Sequence, residues 1–309
     1  MRMGARLDGL DWIAADWGTS RLRVWAMAAD GRVLAGSASD RGMGQLDRAG
    51  FGPALLDIVA PWLGGGASDP VPVLVCGMAG ARTGWVEAPY RAVPCTPLDP
   101  ARATRPDGAD PRLPVLILPG LSQSSPPDVM RGEETQLAGL IAARPGWEGV
   151  VCMPGTHSKW ARVRGGRVTA FRTFMTGELY ALLARQSVLR LSVAGAEPDP
   201  AAFDEAAASG AGLAELFSVR AAGLLGDVPA AAAAGRLSGL LVGAEIAAAE
   251  SFRGGAPLAL VGAPALTSLY ARALAARGGG GDPPLILDGS DMALAGLAAA
   301  RAALTKVPA

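Results

Sequence analysis

An α/β fold built on two mixed β-sheets is what this sequence predicts, and three observations carry the reading. A strand, a turn rich in glycine and hydroxyl residues, a second strand, a glycine turn and a third strand occupy residues 12–37, and the same order returns at 150–174. Short, continuously apolar runs alternate with helical stretches, the pattern of strands buried between layers of helices. Half of the residues are apolar and 18% are charged, a composition able to bury a large core. A length of 309 residues amounts to about two domains.

Taken in order, Trp12 to Ala15 reads as a first strand that runs into the turn Asp16-Trp17-Gly18-Thr19-Ser20. Leu22 to Ala28 is a second strand, and the Asp30-Gly31 hairpin signal leads into a third at Arg32 to Ser37. Gly52 to Leu63 is a helix in spite of Pro61 and is stopped by Gly64-Gly65-Gly66. Val71 to Cys76 and Val115 to Leu118 are buried strands, and Glu133 to Ala143 is an amphipathic helix ending before Pro145.

The second cycle opens with a strand at Val150 to Met153 and the turn Pro154-Gly155-Thr156-His157-Ser158. Strands follow at Lys159 to Arg164 and Arg167 to Phe174, joined by Gly165-Gly166. Residues 176–253 are alanine-rich and helical, with a linker-like AEPDP at 196–200 and a strong helix over Leu237 to Ser251. The end returns to alternation: strand Leu258 to Val261, helix Leu266 to Arg277, a Gly278 to Gly281 loop, strand Leu285 to Leu287 and helix Asp291 to Leu304. The expected domains are 1–144 and 145–309, the latter with a helical insertion at 176–253.

Composition excludes several classes. Lys plus Arg number 28 against 28 Asp plus Glu, so bulk electrostatic binding of nucleic acid or of an anionic membrane is not expected. Cys76, Cys95 and Cys152 form no CxxC pair or Cys/His cluster, which argues against a disulfide scaffold or zinc site. Asp8 and Asp11 interrupt the N-terminal region before any export-signal core. The uncharged stretch from Gly254 to Ala271 contains Pro257 and Pro264 and fits a soluble strand-turn-helix better than a membrane span. A soluble cytoplasmic protein is the expectation, and a homodimer is compatible with it. No GxxxxGK[ST], strand-linked GxGxxG, GxSxG or HExxH motif occurs.

The chemistry therefore rests on the two turns, Asp16 to Arg21 and Pro154 to Lys159. A tight turn of Gly, Thr and Ser can aim backbone N–H groups and hydroxyls at phosphate oxygens, with Arg21 or Lys159 adding charge. Asp16, leaving a buried strand, suits Mg²⁺ held through water. Either turn alone is also an ordinary hairpin; two at equivalent places in similar halves argue for function.

The segments ADWGTSRLRVW (15–25), RGMGQL (41–46), CGMAGARTGWVEAPY (76–90), RGEETQLAGL (131–140), PGTHSKW (154–160), FMTGELYALL (174–183), SGLLVGAEI (238–246) and VGAPAL (261–266) stand in an order that resembles the 2-dehydro-3-deoxygalactonokinase family. That family falls within the actin-like ATPase superfamily, with hexokinase and the sugar kinases. The resemblance spans nearly the whole chain. It implies two ribonuclease H-like domains of the actin/hexokinase type, each a mixed sheet flanked by helices, with the active-site cleft between them. It further implies transfer of phosphate from ATP, with Mg²⁺, to the 6-hydroxyl of 2-dehydro-3-deoxy-D-galactonate in galactonate catabolism. Gly18, Thr19, Ser20 and Arg21 would form the first phosphate loop, and Gly155, Thr156, His157 and Lys159 the second. Gly262, Ala263 and Pro264 match the adenosine segment. Related carbohydrate kinases start a helix with Gly-Asp, whose Asp takes the substrate proton; Gly132-Glu133 stands there in this chain, with Glu134 the alternative if the register is off by one. Both glutamates also suit the dipole of a first helical turn.

For the substrate carboxylate, Arg41 and Arg82 lie beside the glycine-rich Gly42 to Gly44 and Gly77 to Gly80 segments, and each reads equally as a solvated arginine. Gly42 would allow close approach, and Met78 and Trp85 would wall the pocket. A kinase for another sugar or sugar acid, and a non-catalytic actin-like ATP-binding module, are the rival readings. Finally, the only histidine and one of only two lysines, His157 and Lys159, lie two residues apart. If the strand begins by His157, both side chains face one side and one phosphate.

Overall fold

Three antiparallel strands followed by two parallel ones make the first sheet, and the second sheet repeats this plan. The computed structural model describes residues 6–64, 69–193, 195–278 and 282–305. The chain divides into one compact unit of residues 1–147, 165–169 and 290–309 and another of 148–164 and 170–289. Gly65, Gly66 and Gly279 to Gly281, named above, lie outside the described residues.

The first unit contains β1 (Trp12–Trp17), β2 (Leu22–Met27), β3 (Val33–Ser39), α1 (Phe51–Leu63), β4 (Val73–Gly77), β5 (Tyr90–Ala92), β6 (Val115–Ile117), β7 (Gly120–Ser124), β8 (Pro127–Met130) and α2 (Glu133–Ala143). Its main sheet runs β3-β2-β1-β4-β6, with β1 antiparallel to β2 and parallel to β4. Every residue of β1 is buried because both faces of the sheet are covered. Ile13, Ala15 and Trp17 pack on one face with Phe51, Leu55, Val59 and Trp62. On the other face Trp12 and Ala14 join Leu74 and Cys76. The small sheet β5-β7-β8 was not anticipated: these strands have three to five residues and no apolar alternation.

The second unit contains β9 (Gly149–Met153), β10 (Ser158–Arg164), β11 (Arg167–Phe174), α3 (Thr176–Gln186), α4 (Arg190–Val193), α5 (Pro200–Ser209), α6 (Leu216–Leu225), α7 (Ala230–Arg253), β12 (Leu258–Gly262), α8 (Pro264–Ala276) and β13 (Leu285–Asp288). The sheet order β11-β10-β9-β12-β13 is the first sheet's order again, with β9 antiparallel to β10 and parallel to β12. Two ribonuclease H-like sheets of the actin/hexokinase type are thus present. Helix α7 begins seven residues earlier than the sequence predicts, at Ala230, and it packs on α5 through glycines. A Cβ on Gly235, Gly239 or Gly243 would stand 2.3, 2.3 or 2.6 Å from the carbonyl oxygens of Asp199, Phe203 and Ala207. The expected linker at 196–200 instead supplies the cap of α5, where Asp199 accepts from the Ala202 N–H at 2.8 Å.

The last helix, α9 (Gly289–Thr305), belongs from Ser290 on to the first unit rather than to a continuous 145–309 segment. Leu297 and Ala300 cover the face of the first sheet that Trp12, Ala14 and Leu74 present. An apolar strand flanked on both sides needs that second layer.

Candidate active site

In the first unit the β1–β2 turn closes with the Gly18 N–H donating to the Arg21 carbonyl at 2.8 Å, leaving Thr19, Ser20 and Arg21 exposed. Arg21 makes a solvent-exposed ion pair with Asp40 at 3.4 Å. Asp16 is buried, 8% exposed, and directly opposite Arg23 in the strand register. Arg23 donates to its Oδ2 at 2.6 Å and also to Ser290 Oγ. In the second sheet the same register position holds Cys152 opposite Trp160. The hairpin therefore does not need a carboxylate for its own sake.

Three segment ends meet at Asp16 through two glycines. Gly77, at the end of β4, has φ 88°, and a Cβ there would stand 2.5 Å from the Trp17 carbonyl oxygen and 3.5 Å from Asp16 Oδ1. Gly132, just before α2, has φ 110°, and its Cβ would lie 3.4 Å from Gly77 Cα. Gly77 is required by conformation and by contact, Gly132 by conformation. They bring the end of β4 and the start of α2 close to the Asp16 carboxylate, a hard oxygen donor. Among the described residues no three His, Cys, Asp or Glu side chains group as a metal cage. That donor set fits a Mg²⁺ ion that keeps its waters and phosphate ligands, with Asp16 as the protein carboxylate.

The start of α2 separates the two glutamates. Glu134 is fully buried; the Gly132 N–H donates to its Oε2 at 2.7 Å and Thr135 Oγ1 donates to its Oε1 at 3.2 Å. Burial first, and the neighbouring Glu133 second, push its carboxyl up to about 8. Glu133 is partly exposed, and its Oε2 accepts from the Arg131 N–H at 3.0 Å. Burial thus favours the protonated form of Glu134 at neutral pH, and Glu133 is the more exposed of the two.

The Glu134 shift has a sign that thermal denaturation can read. With the folded value near 8 against 4.5 unfolded, stabilisation is full below 4.5 and is lost as pH rises through 8. From pH 6 to pH 8 this amounts to about 2 kcal/mol. Glu134→Gln keeps an oxygen for the Gly132 N–H and is expected to remove that component, so its midpoint falls less than that of wild type over this range. Parallel curves for the two proteins would refute the assignment.

In the second unit the hairpin between β9 and β10 is seated on the first turn of α3. A Cβ on Gly177 would stand 2.4 Å from the Gly155 carbonyl oxygen, and the Glu178 N–H donates to the Thr156 carbonyl at 3.0 Å. The strand begins at Ser158, so the shared-face expectation for His157 and Lys159 fails. His157 is exposed and its Nε2 pairs with Glu178 Oε2 at 2.5 Å; Lys159 is buried and donates from Nζ to Thr173 Oγ1 at 2.7 Å. Beside Gly155 opens a cavity of about 470 Å³, lined also by Gly177, Tyr180, Leu241, Leu266 and Tyr270. It is of small-molecule size and mostly apolar. Gly262 ends β12 with its Cβ position 3.5 Å from the Pro154 carbonyl oxygen, exposed Ala263 caps α8, and Pro264 takes its first position. Hairpin, strand end and cavity are contiguous.

Two of the residues expected around the sugar acid meet at Trp17, whose indole N–H donates to the Arg41 carbonyl at 3.1 Å and whose ring centroid lies 6.0 Å from that of Trp85. Arg82 is exposed and Met78 is partly buried at the end of β4. Arg41 is held by Asp57 at 2.6 Å. Gly42 lies against the first hairpin, where its Cβ would meet the Thr19 carbonyl oxygen at 2.4 Å. Trp85 does not wall a pocket but sits in the core, 3% exposed, with its ring centroid 6.0 Å from those of both Trp17 and Phe51 and its indole N–H donating to the Asp107 carbonyl. Its apolar area is spent on the first sheet. The sequence reading also missed Arg23, Glu245 and Tyr270. For Glu245 a signal existed: it is the one charged residue between Arg236 and Glu250 in an apolar helix.

Two sheets of one topology, each with a glycine-hydroxyl hairpin after its first strand, place the chain in the actin- and hexokinase-like class of sugar kinases. The model of the 2-keto-3-deoxy-galactonokinase family matches residues 16–300, and the chain belongs to that family. A protein of Rhizobium meliloti (strain 1021) named a probable 2-dehydro-3-deoxygalactonokinase is 44% identical over 279 residues, covering 86% of this chain and 90% of its own. The 2-dehydro-3-deoxygalactonokinase of Escherichia coli (strain K12) is 34% identical over 274 residues, with the same coverage. A crystal structure from Sinorhizobium meliloti, described as a 2-dehydro-3-deoxygalactonokinase protein, superposes with a TM-score of 0.86 at 41% identity, covering 96% of this chain and 100% of that one.

Proposed function

We propose that this chain transfers the γ-phosphoryl group of ATP to the 6-hydroxyl of 2-dehydro-3-deoxy-D-galactonate, giving the 6-phosphate and ADP in galactonate catabolism. The observation that carries the mechanism is the division of labour at α2, with a partly exposed Glu133 next to a buried, protonated Glu134. Glu133 accepts the proton of the 6-hydroxyl as its oxygen bonds to the γ-phosphorus and the bond to the ADP oxygen breaks. Gly18 to Arg21 and Gly155 to His157 offer backbone N–H groups and the Thr19, Ser20 and Thr156 hydroxyls to the phosphates, and Lys159, buried behind the second hairpin, adds positive charge. A magnesium ion, bound, would neutralise phosphate charge beside Asp16, whose charge the Arg23 guanidinium holds in place. The cavity beside Gly155 takes the nucleoside; Leu266 and Tyr270 in its wall belong to α8, the helix that Gly262, Ala263 and Pro264 lead into. Exposed Arg82 is the arginine best placed to pair with the substrate carboxylate.

ADP release measured across a panel of 2-keto-3-deoxy acids and aldoses tests this reading. The expected result is turnover with 2-dehydro-3-deoxy-D-galactonate and at least ~100-fold lower kcat/KM for aldoses, which lack the carboxylate and keto partners. Preference for an aldose would overturn the substrate, and ATP binding with transfer to no acceptor would overturn catalysis.

A further inference from the structure

Beneath the second hairpin lies a buried polar cluster that the phosphoryl-transfer chemistry does not use. Glu245, in the middle of α7, is 3% exposed. Trp160 Nε1 donates to its Oε1 at 2.8 Å and the Tyr270 hydroxyl to its Oε2 at 2.7 Å. The hydroxyls of Thr176 and Ser158 reach the same carboxylate. Ser158 Oγ lies 2.9 Å from the Tyr270 hydroxyl and is fully buried. Tyr270 gives its one proton to Glu245, so Ser158 gives its own either to the Tyr270 oxygen or to the same carboxylate, and three to four of the carboxylate's about four lone-pair sites are filled. Burying a charge on the sheet side of an apolar helix is costly, and an apolar residue of similar volume is often no worse for stability. The cluster's position supplies another use for it. Ser158 is the first residue of β10 and closes the hairpin that ends β9, whereas Thr176 and Tyr270 line the cavity.

We propose that Glu245 is a positioning residue that couples the nucleoside cavity to the phosphate hairpin. This deepens the nucleotide reading of the second unit and rests on it. A nucleoside seated against Tyr270 and Thr176 fixes those side chains. Through Glu245 they fix Ser158 and so the backbone at the foot of the hairpin. Phosphates then meet a hairpin already in its binding geometry, so cavity and hairpin bind one ligand more tightly together than their separate contacts would give.

Tyr270→Phe tests this coupling, because it keeps the ring in the cavity wall and removes only the hydroxyl that bridges Glu245 and Ser158. Calorimetric affinities for adenosine, which fills the cavity alone, and for ADP, which reaches the hairpin as well, are compared in wild type and variant. The expected result is about a tenfold fall in the ratio of ADP to adenosine affinity, the ratio cancelling any change at the cavity wall that both ligands share. Glu245→Gln, whose amide can donate to a tyrosine or serine hydroxyl and reverse the chain of hydrogen bonds, is expected to retain most of the ratio. Glu245→Leu is expected to lose it. Equal losses for both ligands, or an unchanged ratio in Tyr270→Phe and Glu245→Leu, would show a role in stability alone and overturn the inference. Wild-type protein that binds neither ligand would instead overturn the nucleotide reading itself.

Discussion

Glu133→Gln is expected to lower kcat by about a thousandfold while leaving ATP affinity within about twofold of wild type. Gln keeps the length and the oxygen that accepts from the Arg131 N–H, so the start of α2 stays in place. It cannot take a proton, and that is the loss the assay reads. Glu134→Gln serves as the internal comparison, since Glu134 is already protonated near neutral pH and its isosteric amide changes little in turnover. Glu133→Asp retains the base but withdraws it by roughly one C–C bond length and is expected to fall between the two. Single-turnover ATP cleavage with saturating keto acid, together with calorimetric ATP binding, separates chemistry from binding. Normal turnover in Glu133→Gln together with loss of turnover in Glu134→Gln would reverse the assignment.

That distinction shows what the sequence could and could not convey. Gly132-Glu133-Glu134 was legible as the start of a helix bearing a candidate base, because glycine before a run of good helix formers is a local signal. Which glutamate faces solvent is a tertiary fact, set by contacts of Gly132 with Gly77 and by the bonds of Glu134 to Gly132 and Thr135. The two main sheets were legible from turn chemistry repeated in two halves, down to the hairpins. The sheet β5-β7-β8 was not, since it pairs Tyr90 with Gly120 across thirty residues through strands too short to show a period. Trp85 was misplaced for a related reason. Tryptophan suits a sugar pocket and a core equally well, and only the meeting with Trp17 and Phe51 decides. His157 would share the Lys159 face only if the strand began at His157; it begins at Ser158, and strand ends are where pattern reading is weakest.

Gly42→Ala is expected to lower kcat/KM for ATP by about a hundredfold while the KM for the keto acid stays within about threefold of wild type. Gly42 has φ −72° and ψ 170°, a conformation alanine adopts freely, so backbone strain plays no part. The added methyl would stand 2.3 Å from the Ser20 carbonyl carbon, 2.4 Å from the Thr19 carbonyl oxygen and 2.5 Å from the Arg21 nitrogen. All three are backbone atoms of the first hairpin, and no side chain can swing aside to relieve the contact. The Met43 N–H donates to the Gly18 carbonyl at 3.1 Å and the Gly44 N–H to the Thr19 carbonyl at 2.8 Å, so segment and hairpin move as a pair or break those bonds. Relief requires a shift of about 1 Å, the scale at which positioned phosphate donors lose their effect. Core residues are untouched, so the thermal midpoint is expected to fall by only a few degrees. A rise in keto-acid KM with ATP kinetics unchanged would return Gly42 to the substrate side, where its sequence context first suggested it.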